Sequence, residues 1–243
     1  MAVPEQRRFD DPMLLALSAS AGTIDAISWF ALSKVFSAFM TGNFAFLAFL
    51  VAGAGGPPPV LVVVSIAAFG IGAALAGRMV APAGRGGRTA FPITMALCVV
   101  LVAHIAFLIM WLVVRGHPST DSAHALIAVS AFGMGVQSAA AFALGRRVVF
   151  TTAVTASWTA LMGEFSMSST PSTRERPRLI GVIVALFVGA VAGAWLMVHA
   201  RDWAPVLPLA VTAAVIAAAI VRERPPHAVP EPTESLQGRP QTP

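Results

Sequence analysis

Eight apolar runs, at about 13–33, 35–53, 60–80, 92–114, 123–144, 148–163, 179–200 and 204–221, take up nearly the whole chain. A helix needs about 20 apolar residues to cross a bilayer, so most of these runs are long enough. A soluble domain carries roughly 25% charged residues. Here the charged share is 11% against 57% hydrophobic, and the mean hydropathy is +0.78. That leaves too little polarity to coat a water-exposed surface. The net charge of +5 comes mainly from arginines near the ends of the runs. This suits loops beside anionic headgroups and argues against a nucleic-acid partner. The single cysteine, Cys98, excludes an internal disulfide.

Two runs differ from the others. The second is separated from the first only by Ser33-Lys34 and is broken by Thr41-Gly42-Asn43. The sixth follows Arg146-Arg147, is about one turn short, and carries Thr151, Thr152, Thr155, Ser157 and Thr159. Arginine and lysine placement tests whether these two runs cross. If all eight cross from a cytoplasmic N-terminus, the inside holds Arg7, Arg8, Arg115, Arg174, Arg176, Arg178, Arg222 and Arg224. The outside then holds Lys34, Arg78, Arg85, Arg88, Arg146, Arg147 and Arg201, which is no bias. If the second and sixth runs dip in and return, only Lys34, Arg115 and Arg201 stay outside. That split is what the positive-inside rule expects. It also puts Trp111 and Trp203 at the outer interface, the level indole rings favour.

The reading is an all-α polytopic membrane protein of six transmembrane helices plus two re-entrant or short helical segments, 35–53 and 148–163. The alternative is an eight-pass bundle. Residues 1–12 form a cytoplasmic N-terminal segment, 13–221 a single membrane domain, and 222–243 a disordered, proline-rich cytoplasmic tail. The uninterrupted apolar stretch after Arg7-Arg8 is only Met13 to Leu17, short for a signal-peptide core, so the first run is read as an uncleaved span.

The chain also resembles itself. Gly22-Thr-Ile-Asp25-Ala26 corresponds to Gly135-Val-Gln-Ser138-Ala139, and the dip at 35–43 to 149–157 with a one-residue slip. Gly72-x-x-x-Ala76 matches Gly189-x-x-x-Gly193, spacings that let membrane helices approach closely. Pseudo-repeats 13–114 and 123–221 would each make three crossings, so the second would be inverted. Inverted repeats place binding sites near the midplane, where interrupted helices meet.

Asp25 is the first candidate site residue, because an ionisable group at membrane depth is by default a functional-site hypothesis. It reads as a proton or cation site, as a counter-ion for substrate, or as a carboxylate that holds exposed amides at the start of the Thr41 half-helix. Thr41, Gly42 and Asn43 open that half-helix, which runs to about Val51. They read either as ligand-binding groups or as a cap in a packed hairpin. Thr155 and Ser157 form the mirror element. Gln137 and Ser138 lie in the fifth span where Asp25 lies in the first, and read as helix bridges or as substrate contacts. His104 reads first as a hydrogen-bonded packing residue and second as a proton relay. Glu164 reads as an interfacial ion-pair member near Arg174 and Arg178.

No H-E-x-x-H, paired-cysteine, G-x-S-x-G or phosphate-loop pattern occurs. The expectation is therefore no catalytic residue, no metal and no cofactor.

Gly22-x-x-Asp25-Ala26, then Val35-Phe36 and Met40-Thr41-Gly42-Asn43, resemble the signature of the YoaK family of bacterial membrane proteins (domain of unknown function 1275). Gly135-x-Gln137-x-Ala139 and Thr151-Thr152-x-x-Thr155 are similar to that family's second motif. The chain has Thr155-Ala156-Ser157 where the family pattern has Thr-Gly-Thr. The resemblance implies a multi-pass protein of the bacterial cytoplasmic (inner) membrane and no particular activity. The expected function is a small-solute or ion transporter or channel, proton-coupled through Asp25. The alternative is a non-transporting scaffold or assembly factor. Expected partners are membrane lipids and a small solute or ion, and the Gly/Ala faces leave a homo-oligomer open.

Overall fold

The structure, a computed structural model, describes residues 4–80, 90–145, 158, 162 and 175–223. Among these the chain is helical, with no strand. The helices are α1 (Pro4–Ala31), α2 (Met40–Val51), α3 (Pro59–Val80), α4 (Ala90–Val113), α5 (Thr120–Gly145), α6 (Glu175–His199) and α7 (Val206–Glu223). A short 3-10 turn, Arg201–Trp203, precedes α7. Each except α2 contributes to a candidate membrane span of 21 to 24 residues, the last of which, Arg201–Val221, takes in the 3-10 turn together with α7. With 12 residues, α2 rises only about 18 Å, against a hydrocarbon core of about 30 Å. It cannot cross.

Two apolar clusters define the ends of the bundle. One joins Met13 and Leu17 of α1, Ala76 of α3, Leu97 of α4, Ala140 of α5 and Val215 of α7. The other joins Ile27, Leu32, Leu61, Trp111, Ala123, Met197 and Ala204. The last turn of α1 and the first of α3 thus share an end, so 32–58 leaves and returns on one side. Arg178, near the start of α6, pairs with Asp11 of α1 at 3.0 Å, so α6 begins at the end where α5 finishes. Six antiparallel passes result, and the eight-pass alternative fails. The path of the sixth apolar run, 148–163, lies outside the described residues.

Polarity is inside out. Ile71, Phe187 and Val198 are each more than 60% exposed, while Ser28, Asn43, Ser65, Gln137 and Thr212 are fully buried. This suits a bundle whose solvent is lipid.

Helices α1, α5, α4 and α7 pack as a ring, with α6 against α1 and α3 against α5. The outer pairings depend on glycine. A Cβ on Gly22 would meet the Leu186 carbonyl oxygen, and one on Gly189 the Ala19 carbonyl oxygen. Likewise Gly72 lies on the Phe132 carbonyl and Gly135 on the Phe69 carbonyl. Backbones touch, which only residues without a side chain permit.

Trp111 departs from the interfacial role expected of it. It is fully buried in the second cluster, where its Nε1 donates to the Arg201 carbonyl at 3.1 Å. Arg201 Nε donates in turn to the Gly116 carbonyl at 2.6 Å. The indole ties two connecting turns together, while Trp203 is 64% exposed. Glu164 lies outside the described residues, among which Arg178 pairs with Asp11.

Two outcomes follow. In a Cys98-free background, cysteines at positions 55 and 117 should label from one side of the membrane and a cysteine at 78 from the other. Labelling of 55 and 78 from a common side would refute the six-pass layout. Gly135→Ala should cost about 1–3 kcal/mol by forcing α3 and α5 apart, measured as thermal stability in detergent. Gly70→Ala, which meets nothing within 4 Å, should shift stability by no more than about 0.5 kcal/mol.

Candidate functional site

At the end of α1 two left-handed residues, Ser33 (φ 57) and Lys34 (φ 63), reverse the chain. Residues 35–39 then run back beside the helix they have just left. This backbone is irregular and cannot satisfy itself, yet it lies beside α1 within the bundle. Unpaired peptide groups away from water are costly, so side chains must complete them.

Asp25 completes the first set. Its Oδ1 accepts from the Ser37 amide at 2.9 Å and the Ala38 amide at 2.7 Å. Asn43 completes the second. Its Oδ1 accepts from the Phe36 amide at 3.1 Å, and its Nδ2 donates to the Phe36 carbonyl at 2.7 Å. Nδ2 also donates to Ser65 Oγ at 3.0 Å, and Ser65 Oγ donates to the same Phe36 carbonyl at 2.6 Å. The Phe36 ring is held as firmly as its peptide, stacked on Trp29 at 5.2 Å and on Phe46 at 6.0 Å.

A hydroxyl chain joins the segment to the ring of helices. Ser37 Oγ lies 2.6 Å from Ser28 Oγ and 2.7 Å from Ser130 Oγ. Ser130 donates to the Ile127 carbonyl at 3.2 Å. With that proton committed, Ser37 donates to Ser130 and Ser28 donates to Ser37, so the chain runs from α1 through the dip to α5.

The expected site residues separate into groups. Asp25, Gly42 and Asn43 meet around the dip. The amides on Asp25 belong to Ser37 and Ala38, just before α2 rather than in its first turn. A Cβ on Gly42 would come 2.7 Å from the Phe39 ring, so glycine admits that ring over the helix start. Thr41 is exposed on the outer wall of α2. Gln137 is fully buried and donates from Nε2 to the Leu17 carbonyl at 3.0 Å. Leu17 is eight residues before Asp25, a rise of about 12 Å, so Gln137 works at another depth. Ser138 is half-buried, and its Oγ has no partner among the described residues. Thr155 and Ser157 lie outside the described residues.

Sequence reasoning missed Ser28, Ser65 and the double grip on Phe36. The aromatic spacing of Trp29, Phe36 and Phe46 was the available signal. Among the described residues no three His, Cys, Asp or Glu side chains converge on a possible metal position. A carboxylate offers about four lone-pair directions, so Asp25, half-buried at its surface, keeps acceptor capacity for a proton, a cation or a donor group.

Six apolar spans and one short helix, with the segment before that helix anchored by an internal carboxylate, define a polytopic helical membrane protein. The chain belongs to the family described as a protein of unknown function (DUF1275), whose model matches residues 13–219. No curated protein and no solved structure matches it.

Asp25→Ala strands the Ser37 and Ala38 amides and should cost about 1–3 kcal/mol for each. Asp25→Asn retains an acceptor oxygen and should lose much less. Thermal unfolding of both variants in detergent checks the ranking, and equal losses would contradict the acceptor role.

Proposed function

We propose that the protein is a transporter or channel for a small solute or ion, with Asp25 as the ionisable group of its site and proton coupling through that carboxylate. The observation that carries the reading is a carboxylate with spare acceptor capacity, held at depth by a segment that enters and leaves on one end of the bundle. Discontinuous helices of this kind form substrate and ion sites in transporters. Gly42 and Asn43 shape the near side of the site, while Thr41 faces outward on α2 and Gln137 and Ser138 lie at another depth. The reading assigns the chain no catalysis, cofactor or nucleic-acid partner, and places it among the lipids of the bacterial cytoplasmic membrane.

The reciprocal glycine contacts support an inverted repeat. Gly22 corresponds to Gly135 and Gly72 to Gly189 in sequence. In space Gly22 packs on the helix of Gly189, as Gly135 packs on the helix of Gly72. A twofold exchange of halves produces that pattern. Arg7, Arg8, Arg78, Arg176, Arg178 and Arg222 lie at the end where α1 begins and α7 finishes, and Lys34, Arg115 and Arg201 at the opposite one. This supports a cytoplasmic N-terminus.

A second reading, a membrane scaffold or assembly factor that acts alone or as a homo-oligomer, draws on Asn43, whose amide is wholly engaged by Phe36 and Ser65. Proteoliposomes separate the two readings. Under an imposed potassium diffusion potential, a lumenal pH dye should report proton flux for the wild type. Asp25→Asn should reduce that flux at least about tenfold, a change of roughly 1.4 kcal/mol or more, with folding intact. Unchanged flux in the variant would remove Asp25 from the mechanism. Absence of flux in both proteins would favour the scaffold.

A further inference from the structure

The ring of α1, α5, α4 and α7 has a polar waist that the dip does not use. Ser20 lies seven residues from both Met13 and Ile27, and His104 seven from both Leu97 and Trp111. Seven residues are about two helical turns, so each sits on the same face as its apolar neighbours, midway between the two ends. Those neighbours belong to two separate apolar clusters, one closing each end of the ring. Thr212 falls between the same clusters on α7, and Gln137 of α5, beside the first cluster, bonds the Leu17 carbonyl three residues from Ser20 on α1.

Ser20 and Gln137 are 0% exposed and His104 is 2% exposed. Even so, among the described residues Ser20 Oγ, His104 Nε2 and Gln137 Oε1 have no hydrogen-bond partner. Thr212 Oγ1 donates to the Pro208 carbonyl at 2.9 Å and lies 3.2 Å from His104 Nδ1. Its proton being committed, Thr212 accepts from Nδ1–H, which leaves Nε2 a bare acceptor. Gln137 donates its amide hydrogen to Leu17 and turns its oxygen away from that bond. Two acceptors and one hydroxyl are thus left open inside an apolar enclosure. Native interiors pair such atoms with protein or with ordered water.

We propose that this waist is an occluded site for one or two water molecules, which donate to His104 Nε2 and Gln137 Oε1 and pair with the Ser20 hydroxyl. Donors of hydrogen are what the open atoms require, and a neutral occupant suits a layer to which these side chains bring no carboxylate. Ile24 and Met134, in a cluster of their own with Ala21 and Ala38, separate the waist from the hydroxyl chain of Ser37. The site stands whether or not Asp25 carries flux.

The test uses the full-length protein in detergent micelles with labelled histidine. Water-to-protein cross-relaxation should reach the His104 ring, and the ring should carry its proton on Nδ1. His104→Asn keeps a donor toward Thr212 and loses the far nitrogen. It and Ser20→Ala should each lower the apparent Tm by several degrees, and the double variant should lose little more than either single, because both act on a shared occupant. Should His104→Asn fail to fold, Ser20→Ala with Gln137→Met completes the same cycle. Absence of the water contact at His104 overturns the proposal. So do single variants that are neutral, stabilising or additive, as a dry waist would make them.

Discussion

The bond from Asp25 to the amides of Ser37 and Ala38 is the constraint on which the rest of the molecule turns. A chain that leaves helical conformation beside its own first span exposes peptide groups that lipid cannot satisfy. A carboxylate meets that need better than a neutral acceptor, since hydrogen bonds to charged groups are the stronger kind. Once it is in place, Phe36 falls between Trp29 and Phe46, Asn43 reaches the Phe36 peptide from α2, and Ser65 on α3 closes the other side. Helices α1, α2 and α3 are thereby fastened together at one depth by polar contacts inside an apolar protein.

Around that point the packing is made by small residues. Lipid tails are as apolar as leucine, so burying leucine against leucine gives membrane helices little reason to associate. Close backbone contact does, and Gly22, Gly72, Gly135 and Gly189 bring two pairs of helices within carbonyl reach. The ring of α1, α5, α4 and α7 then fills with larger side chains, Trp111 and Phe107 among them.

Much of this was legible beforehand. Apolar run lengths mark the spans, and the arginine asymmetry selects six crossings over eight because a membrane sorts charge by side. Asp25 and Asn43 stood out because polar groups are rare in such sequence. The serines did not. A serine in an apolar helix reads alike whether it bonds to its own preceding carbonyl, as Ser18 does to Leu14, or links three elements, as Ser37 does. That the Trp111 ring faces inward is illegible for a related reason. The helix of Trp111 is apolar on every side, so no period in it tells the inward face from the outward. What put the indole inside was the polar partner at Arg201, ninety residues away.

The two glycine-bonded couples, α1 with α6 and α3 with α5, have a mechanical consequence. Each is a stiff plank, because sliding one member past the other would drive side chains into backbone. Any opening of the bundle must therefore run along the seam between the planks. The Ser37–Ser130 hydroxyl bond, the Gln137–Leu17 bond and the bond from Ser65 to Phe36 all cross that seam, so an opening has to part all three.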